Sequence, residues 1–175
     1  MSEFRRYGTD PKMDALVDSD NWEDRVNAAE QGYGLDKLVN DKHYQIRQAV
    51  VKQGYGLDKF VNDPDYNIRK EVIRHGYGLD ILINDEDEFI RLEVARQGYG
   101  LDILVKDRSY RVREMVAYKG YGLDILIRDG SYNVREAVAR QGYGLNKLIN
   151  DEDNTVRNTV ECYLKFNGYE SISDW

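Results

Sequence analysis

The tetrapeptide Gly-Tyr-Gly-Leu at residues 32–35 returns at 54, 76, 98, 120 and 142, always 22 residues on. A unit this short cannot bury an apolar side by itself. A fixed period in the range of about 20–50 residues therefore implies like modules stacked against one another. Six full units span 32–163, and a divergent unit at 10–31 keeps Asp14, Leu16, Val17, Trp22 and Arg25 in register. A lead (1–9) precedes them and a C-terminal cap (164–175) follows, giving one solenoid domain over 1–175. The cap segment offers Cys162, Leu164 and Phe166 to cover the last open face.

Each column of the repeat has a physical reading. Asp41, Asp63, Asp85, Asp107, Asp129 and Asp151 recur in register, with Ser19 in the first unit. Asp and Ser are strong helix N-caps, which places a helix start directly after them, with Pro64 at a first helical position. About three turns of helix then carry apolar pairs at i and i+4, such as Ile46/Val50 and Val112/Val116, on one face. The first glycine of each Gly-Tyr-Gly is the natural C′ residue of that helix. The tyrosine falls at C″, where it is expected to pack on the C3 residue, as Tyr77 on Val72. The Leu-rich run that follows, Leu35, Leu38 and Val39 in the first copy, predicts a short second helix with those residues inward. The fold class is an all-α solenoid of about seven 22-residue helix–short-helix repeats.

An arginine follows the first apolar residue of every helix: Arg25, Arg47, Arg69, Arg91, Arg113, Arg135 and Arg157. It falls inside the apolar arc, where a charge needs a partner. Two acidic columns can supply one: the column of Asp41, or that of Asp14, Asp36, Asp58, Asp80, Asp102 and Asp124. An Arg–Asp ladder along the stack is expected.

The unit VNDPDYNIRKEVIRHGYGLDILIND (61–85) resembles the leucine-rich repeat variant units of bacterial proteins and, more distantly, HEAT repeats. An Asp before the helix, a Val/Ile-Arg pair, a Val four residues on and a short Leu-rich segment carry the likeness, over about 10–163. The resemblance implies a right-handed stack. Some members of that family hold an iron–sulfur cluster on a cysteine-rich segment. The single Cys162 does not carry that property over, and no cofactor or metal is expected.

The net charge of −7 argues against direct nucleic-acid binding. No apolar run approaches a membrane span, and one cysteine points to a reducing, cytoplasmic setting. The two histidines, His43 and His75, occupy a varied turn and a polar helix-end column, so no catalytic residue is assigned and the chain reads as no enzyme. A second aromatic column, Trp22, Tyr44, Tyr66, Tyr110 and Tyr132, falls at a third helical position beside the most variable turns. Variation along one edge of a constant frame marks a binding face. Trp, Tyr and Arg anchor interfaces, so these aromatics with Arg108 and Arg111 are the candidate contacts. The acidic turn Asp85, Glu86, Asp87 and Glu88 joins them. The leading expectation is a non-enzymatic module, monomer or weak homodimer, that binds another protein. The alternative is an acidic mimic of nucleic acid that blocks a DNA- or RNA-binding protein, of the anti-CRISPR type.

Overall fold

The computed structural model describes residues 4–169. Among these residues it contains 14 helices and no strand, and they fall in two compact units, Met1–Leu82 and Ile83–Trp175. In the first unit α1 (Pro11–Val17), α2 (Trp22–Glu30), α4 (Tyr44–Lys52) and α6 (Tyr66–Arg74) stack in sequence, with short helices α3 (Leu35–Leu38), α5 (Leu57–Phe60) and α7 (Leu79–Leu82) beside them. In the second, α8 (Glu88–Arg96), α10 (Tyr110–Tyr118), α12 (Tyr132–Arg140) and α14 (Asn154–Phe166) stack likewise, with α9 (Leu101–Leu104), α11 (Leu123–Leu126) and α13 (Leu145–Leu148) between them. Both are all-α solenoid arrangements at the 22-residue period. No helix among the described residues is long and apolar enough to cross a membrane.

The long helices begin two residues later than their Asp column suggests. Their N-caps are Asn21, His43, Asp65, Asp87, Ser109, Ser131 and Asp153. Pro64 therefore lies in the turn ahead of α6. The aromatic column occupies the first helical position, and α4, α6, α8, α10 and α12 are nine residues long. The Asp column fails to cap because it holds the turn instead. Each carboxylate accepts the amide N–H two residues on, at 2.7–2.9 Å from Asp41 through Asp151. Ser19 Oγ does the same for Asn21, at 3.2 Å.

The same carboxylates close the ladder. Arg25, Arg47, Arg91, Arg113 and Arg135 donate Nε–H to Asp41, Asp63, Asp107, Asp129 and Asp151 of the next repeat at 2.6–2.8 Å. For Arg47, Arg91, Arg113 and Arg135 an Nη2–H donates to the second carboxylate oxygen, so those pairs are bidentate. The other terminal nitrogen, Nη1, turns back to the arginine's own repeat. It donates to the carbonyl six residues earlier, at 2.6–3.0 Å in all seven arginines. One guanidinium thus fixes two successive turns. In the other acidic column Asp36, Asp58, Asp80, Asp102 and Asp124 are exposed on the short helices, and Asp14 on α1 binds the Tyr33 hydroxyl instead of an arginine.

Apolar burial drives the stacking. Ile46, Ile68, Ile90, Val112, Val134 and Val156 are fully buried, as are the Val residues four positions after each. Leu38, Phe60, Leu82, Leu104, Leu126 and Leu148 close the core from the short helices. Of the three residues expected to cover the last face, only Leu164 is inward; Cys162 and Phe166 are exposed, so the expected cover reduces to one. The rest of the expected cap, residues 170–175, lies outside the described residues.

The two glycines of each Gly-Tyr-Gly meet different constraints. In the second unit Gly120 (φ +73°) is the left-handed C′ residue of α10, and its amide donates to Ala117 while that of Tyr121 donates to Val116. These two bonds form a Schellman motif. A Cβ on Gly120 would meet nothing within 4 Å. Gly122 (φ +62°) starts α11, and a Cβ there would lie 2.5 Å from Val105 Cγ2 of the preceding repeat. The first glycine answers to backbone conformation alone, the second also to the close approach of a neighbouring layer.

Replacing Gly120 with Ala is expected to cost about 1–2 kcal/mol, the penalty of a left-handed L-residue. Gly122→Ala should cost that plus about 1–3 kcal/mol of overpacking. Urea unfolding of both variants measures the difference, and equal losses would contradict the second constraint. The ladder also predicts a pH dependence. The Arg135 guanidinium holds the Asp151 carboxyl below its ordinary range. For Asp129 burial pushes upward, but Arg113 and the Ser131 amide outweigh it and the carboxyl is again lowered. A lowered folded value means that the unfolded chain binds more protons. This stabilisation is complete above the unfolded carboxylate value of about 3.9 and is lost as pH falls through the lower folded value. The urea midpoint should fall below about pH 4, and less steeply in Asp151→Asn.

Candidate interaction surface

The turn geometry sets where the aromatic column points. A residue at the first helical position, just after an extended N-cap, leaves the packed face that begins two residues later with Ile46, Ile68 or Val112. Trp22, Tyr44 and Tyr66 in the first unit, and Tyr110 and Tyr132 in the second, are accordingly 37–47% exposed. In α8 Glu88 takes that position and Phe89, next in the chain, is exposed instead. The Trp22 ring stacks on His43, with centroids 6.2 Å apart.

The second unit gathers several of these groups. The Arg111 guanidinium lies 5.8 Å from the Phe89 ring centre and 6.0 Å from that of Tyr110. Beside them Leu92, Arg96, Met115 and Tyr118 complete an open cleft of about 380 Å³ across α8, α10 and α12. Glu114 also lines it. Burial first, and then the neighbouring Glu136 carboxylate, push the Glu114 carboxyl upward against the pull of Arg111. A rigid aromatic, a planar cation and a thioether in one concavity supply contact area, directionality and adaptability together. Tyr118 and Met115 were not among the sequence candidates. Tyr118 had a signal: Lys52, Arg74, Arg96 and Arg140 hold its column elsewhere.

The acidic turn is less available than its composition suggests. Asp85 accepts the Asp87 amide and gives its own carbonyl to Arg91. Asp87 caps α8 through the Phe89 amide, and Glu88 accepts the Ser109 hydroxyl. Arg108 reaches back to the Glu86 carbonyl at 2.7 Å, leaving the Glu86 side chain exposed. Among the described residues no group of three or more His, Cys, Asp or Glu side chains is arranged to hold a metal ion.

The Gly-Tyr-Gly tyrosines combine a structural amide with a ring whose exposure varies. The amides of Tyr33, Tyr77, Tyr99, Tyr121 and Tyr143 complete the helix ends, while most of the rings keep a large exposed share. Tyr77 in the first unit and Tyr99, Tyr121 and Tyr143 in the second are 42–43% exposed, with Ile103 and Ile125 exposed beside the last group. Tyr33 alone in this column is fully buried. Its hydroxyl accepts the amides of Thr9 and Asp10 at 3.0 and 2.9 Å and donates to Asp14 at 2.7 Å. The cause is the lead, which lies over it.

No protein-family model matches the chain, and no curated protein matches it in sequence.

Truncating Tyr33 to Ala is expected to cost about 3–5 kcal/mol, as for a large buried ring. Tyr121→Ala and Tyr110→Ala should stay within about 1 kcal/mol. Thermal or urea unfolding tests the contrast, and a comparable loss at Tyr121 would show that its ring supports the stack.

Proposed function

We propose that this chain is a non-enzymatic interaction module that binds another protein through the exposed aromatics at its helix starts. The observation that carries this reading is the Phe89–Tyr110–Arg111 cluster beside the Tyr118 cleft. Large rings and a guanidinium lie half exposed there, on helices whose positions are fixed by buried bonds. Such a surface loses little side-chain freedom on binding, which favours affinity. The repeat units themselves read as leucine-rich-repeat-variant-like, and a cytoplasmic setting accords with one cysteine among 175 residues. The nucleic-acid mimic has less support, because Asp85, Asp87 and Glu88 already bond within the fold.

Affinity capture with the wild-type chain and a Tyr66→Ala/Tyr110→Ala/Tyr132→Ala variant tests the reading. The variant should lose its partners while keeping its helical content. Equal recovery of the same partners would remove the aromatic edge from consideration. Capture by the wild type that collapses between low and moderate salt would favour the acidic mimic instead.

A further inference from the structure

The first Gly-Tyr-Gly turn has a peptide seated on it, and that peptide is the chain's own lead. Arg5 donates its amide to the Gly32 carbonyl at 3.1 Å and accepts the Gly34 amide at 3.0 Å, forming a parallel bridge across Tyr33. The Arg5 guanidinium stands 6.0 Å from the Tyr33 ring centre, and Phe4 meets Tyr55 edge-on at 5.7 Å. Two backbone bonds thus fix an extended segment, and its aromatic and basic side chains lie on tyrosine rings. Under this cover Tyr33 is fully buried.

The second unit repeats the backbone of the seat three times; at the first two the space beside the first glycine is open, while at the third the Tyr163 ring already lies against Gly142. Gly98 and Gly100 have φ +78° and +60°, Gly120 and Gly122 +73° and +62°, and Gly142 and Gly144 +72° and +63°, against +68° and +63° for Gly32 and Gly34. The backbone shape is the same, so the carbonyl of the first glycine and the amide of the second face outward as they do toward Arg5. Among the described residues those carbonyls and amides have no backbone partner. The rings of Tyr99, Tyr121 and Tyr143 are exposed; Ile103 and Ile125, on the short helices that follow the first two turns, are exposed as well, and the Asp102 and Asp124 carboxylates are in solvent.

We propose that the Gly-Tyr-Gly turns at Tyr99 and Tyr121 dock an extended segment of a partner protein, one carrying aromatic and basic side chains of the kind at Phe4–Tyr7. The segment exchanges a backbone N–H and C=O with a turn, as Arg5 does. It lays a ring or guanidinium on the tyrosine, and its positive charge answers Asp102 and Asp124. Main-chain bonds provide the general affinity and the tyrosine–isoleucine steps the selectivity, the division of labour found where an extended peptide adds to an exposed backbone edge. This row is separate from the helix-start aromatics, so it stands or falls without them.

The probe is a synthetic peptide of residues Phe4–Asp10, titrated into the ¹⁵N-labelled full chain, with amide shifts read by NMR. Saturable shifts are expected at Gly100 and Gly122. Tyr99→Ala and Tyr121→Ala should each weaken binding about ten-fold, the scale of losing one aromatic anchor. N-methylation of the peptide's arginine corresponding to Arg5 should weaken it at least as much, and Tyr110→Ala should leave it unchanged. Shifts confined to Gly32 and Gly34 would mean that the peptide merely displaces the lead, and would overturn the proposal. So would the absence of saturation at millimolar peptide, or indifference to N-methylation. Shifts at the same turns that grow with protein concentration alone would overturn a foreign partner in favour of a second copy's lead.

Discussion

The guanidinium–carboxylate pair between successive repeats is the contact from which the local geometry follows. Arg25, Arg47, Arg91, Arg113 and Arg135 each hold a carbonyl of their own turn and a carboxylate of the next, so a single side chain sets the distance and orientation of two turns. The pairs are well shielded; Arg91 and Arg135 are only 4% and 7% exposed. Desolvation at such sites offsets much of the Coulomb attraction, and removing one partner leaves a buried charge at a cost of about 3–5 kcal/mol. The Ile and Val columns supply the drive to stack, and the ladder supplies register.

Because the Asp carboxylate is taken up by the turn and the ladder, another residue must cap the helix. That displacement of two positions puts the aromatic column at the first helical residue and turns it outward. The surface chemistry of the helix starts is therefore a by-product of how the turn is held. At the other end of α2, α6, α8, α10 and α12 the Schellman bonds come from the glycine and tyrosine amides, so the turn does not depend on the tyrosine ring. The ring is left available for contact with other segments. Tyr33 shows what covering it accomplishes, since the lead contributes backbone bonds, a cation near the ring and two amides on its hydroxyl.

Electrostatics follows the same division. The chain is acidic, yet many carboxylates are committed within the fold: the Asp41 column to turns and arginines, Asp87 and Asp153 to helix caps, and Asp18 to Tyr7 and Lys37. Formal charge thus overstates the negative surface available to a partner. The exposed features that distinguish one repeat from another include aromatic, aliphatic and cationic groups beside acidic ones such as Glu86 and Glu152.

The 22-residue period, the i, i+4 apolar pairs and the glycine after each helix determined by themselves that the chain is an all-α stack, and which residues face its core. These are local patterns: they depend only on helix geometry and backbone conformation, which each repeat carries in full. The need for an arginine partner was legible too, since a charge inside an apolar arc cannot stay unpaired. Which carboxylate answers it was not, because Asp36 on the short helix and Asp41 just after it are both near in sequence, and only the packing of one layer on the next brings Asp63 to Arg47. The caps moved for the same reason. The exposure of Tyr99, Tyr121 and Tyr143 against the burial of Tyr33 lay beyond any repeat pattern, since identical turns differ only in whether a distant segment crosses them. Periodicity fixes what every copy shares; tertiary contact decides where the copies differ, and there the candidate surfaces lie.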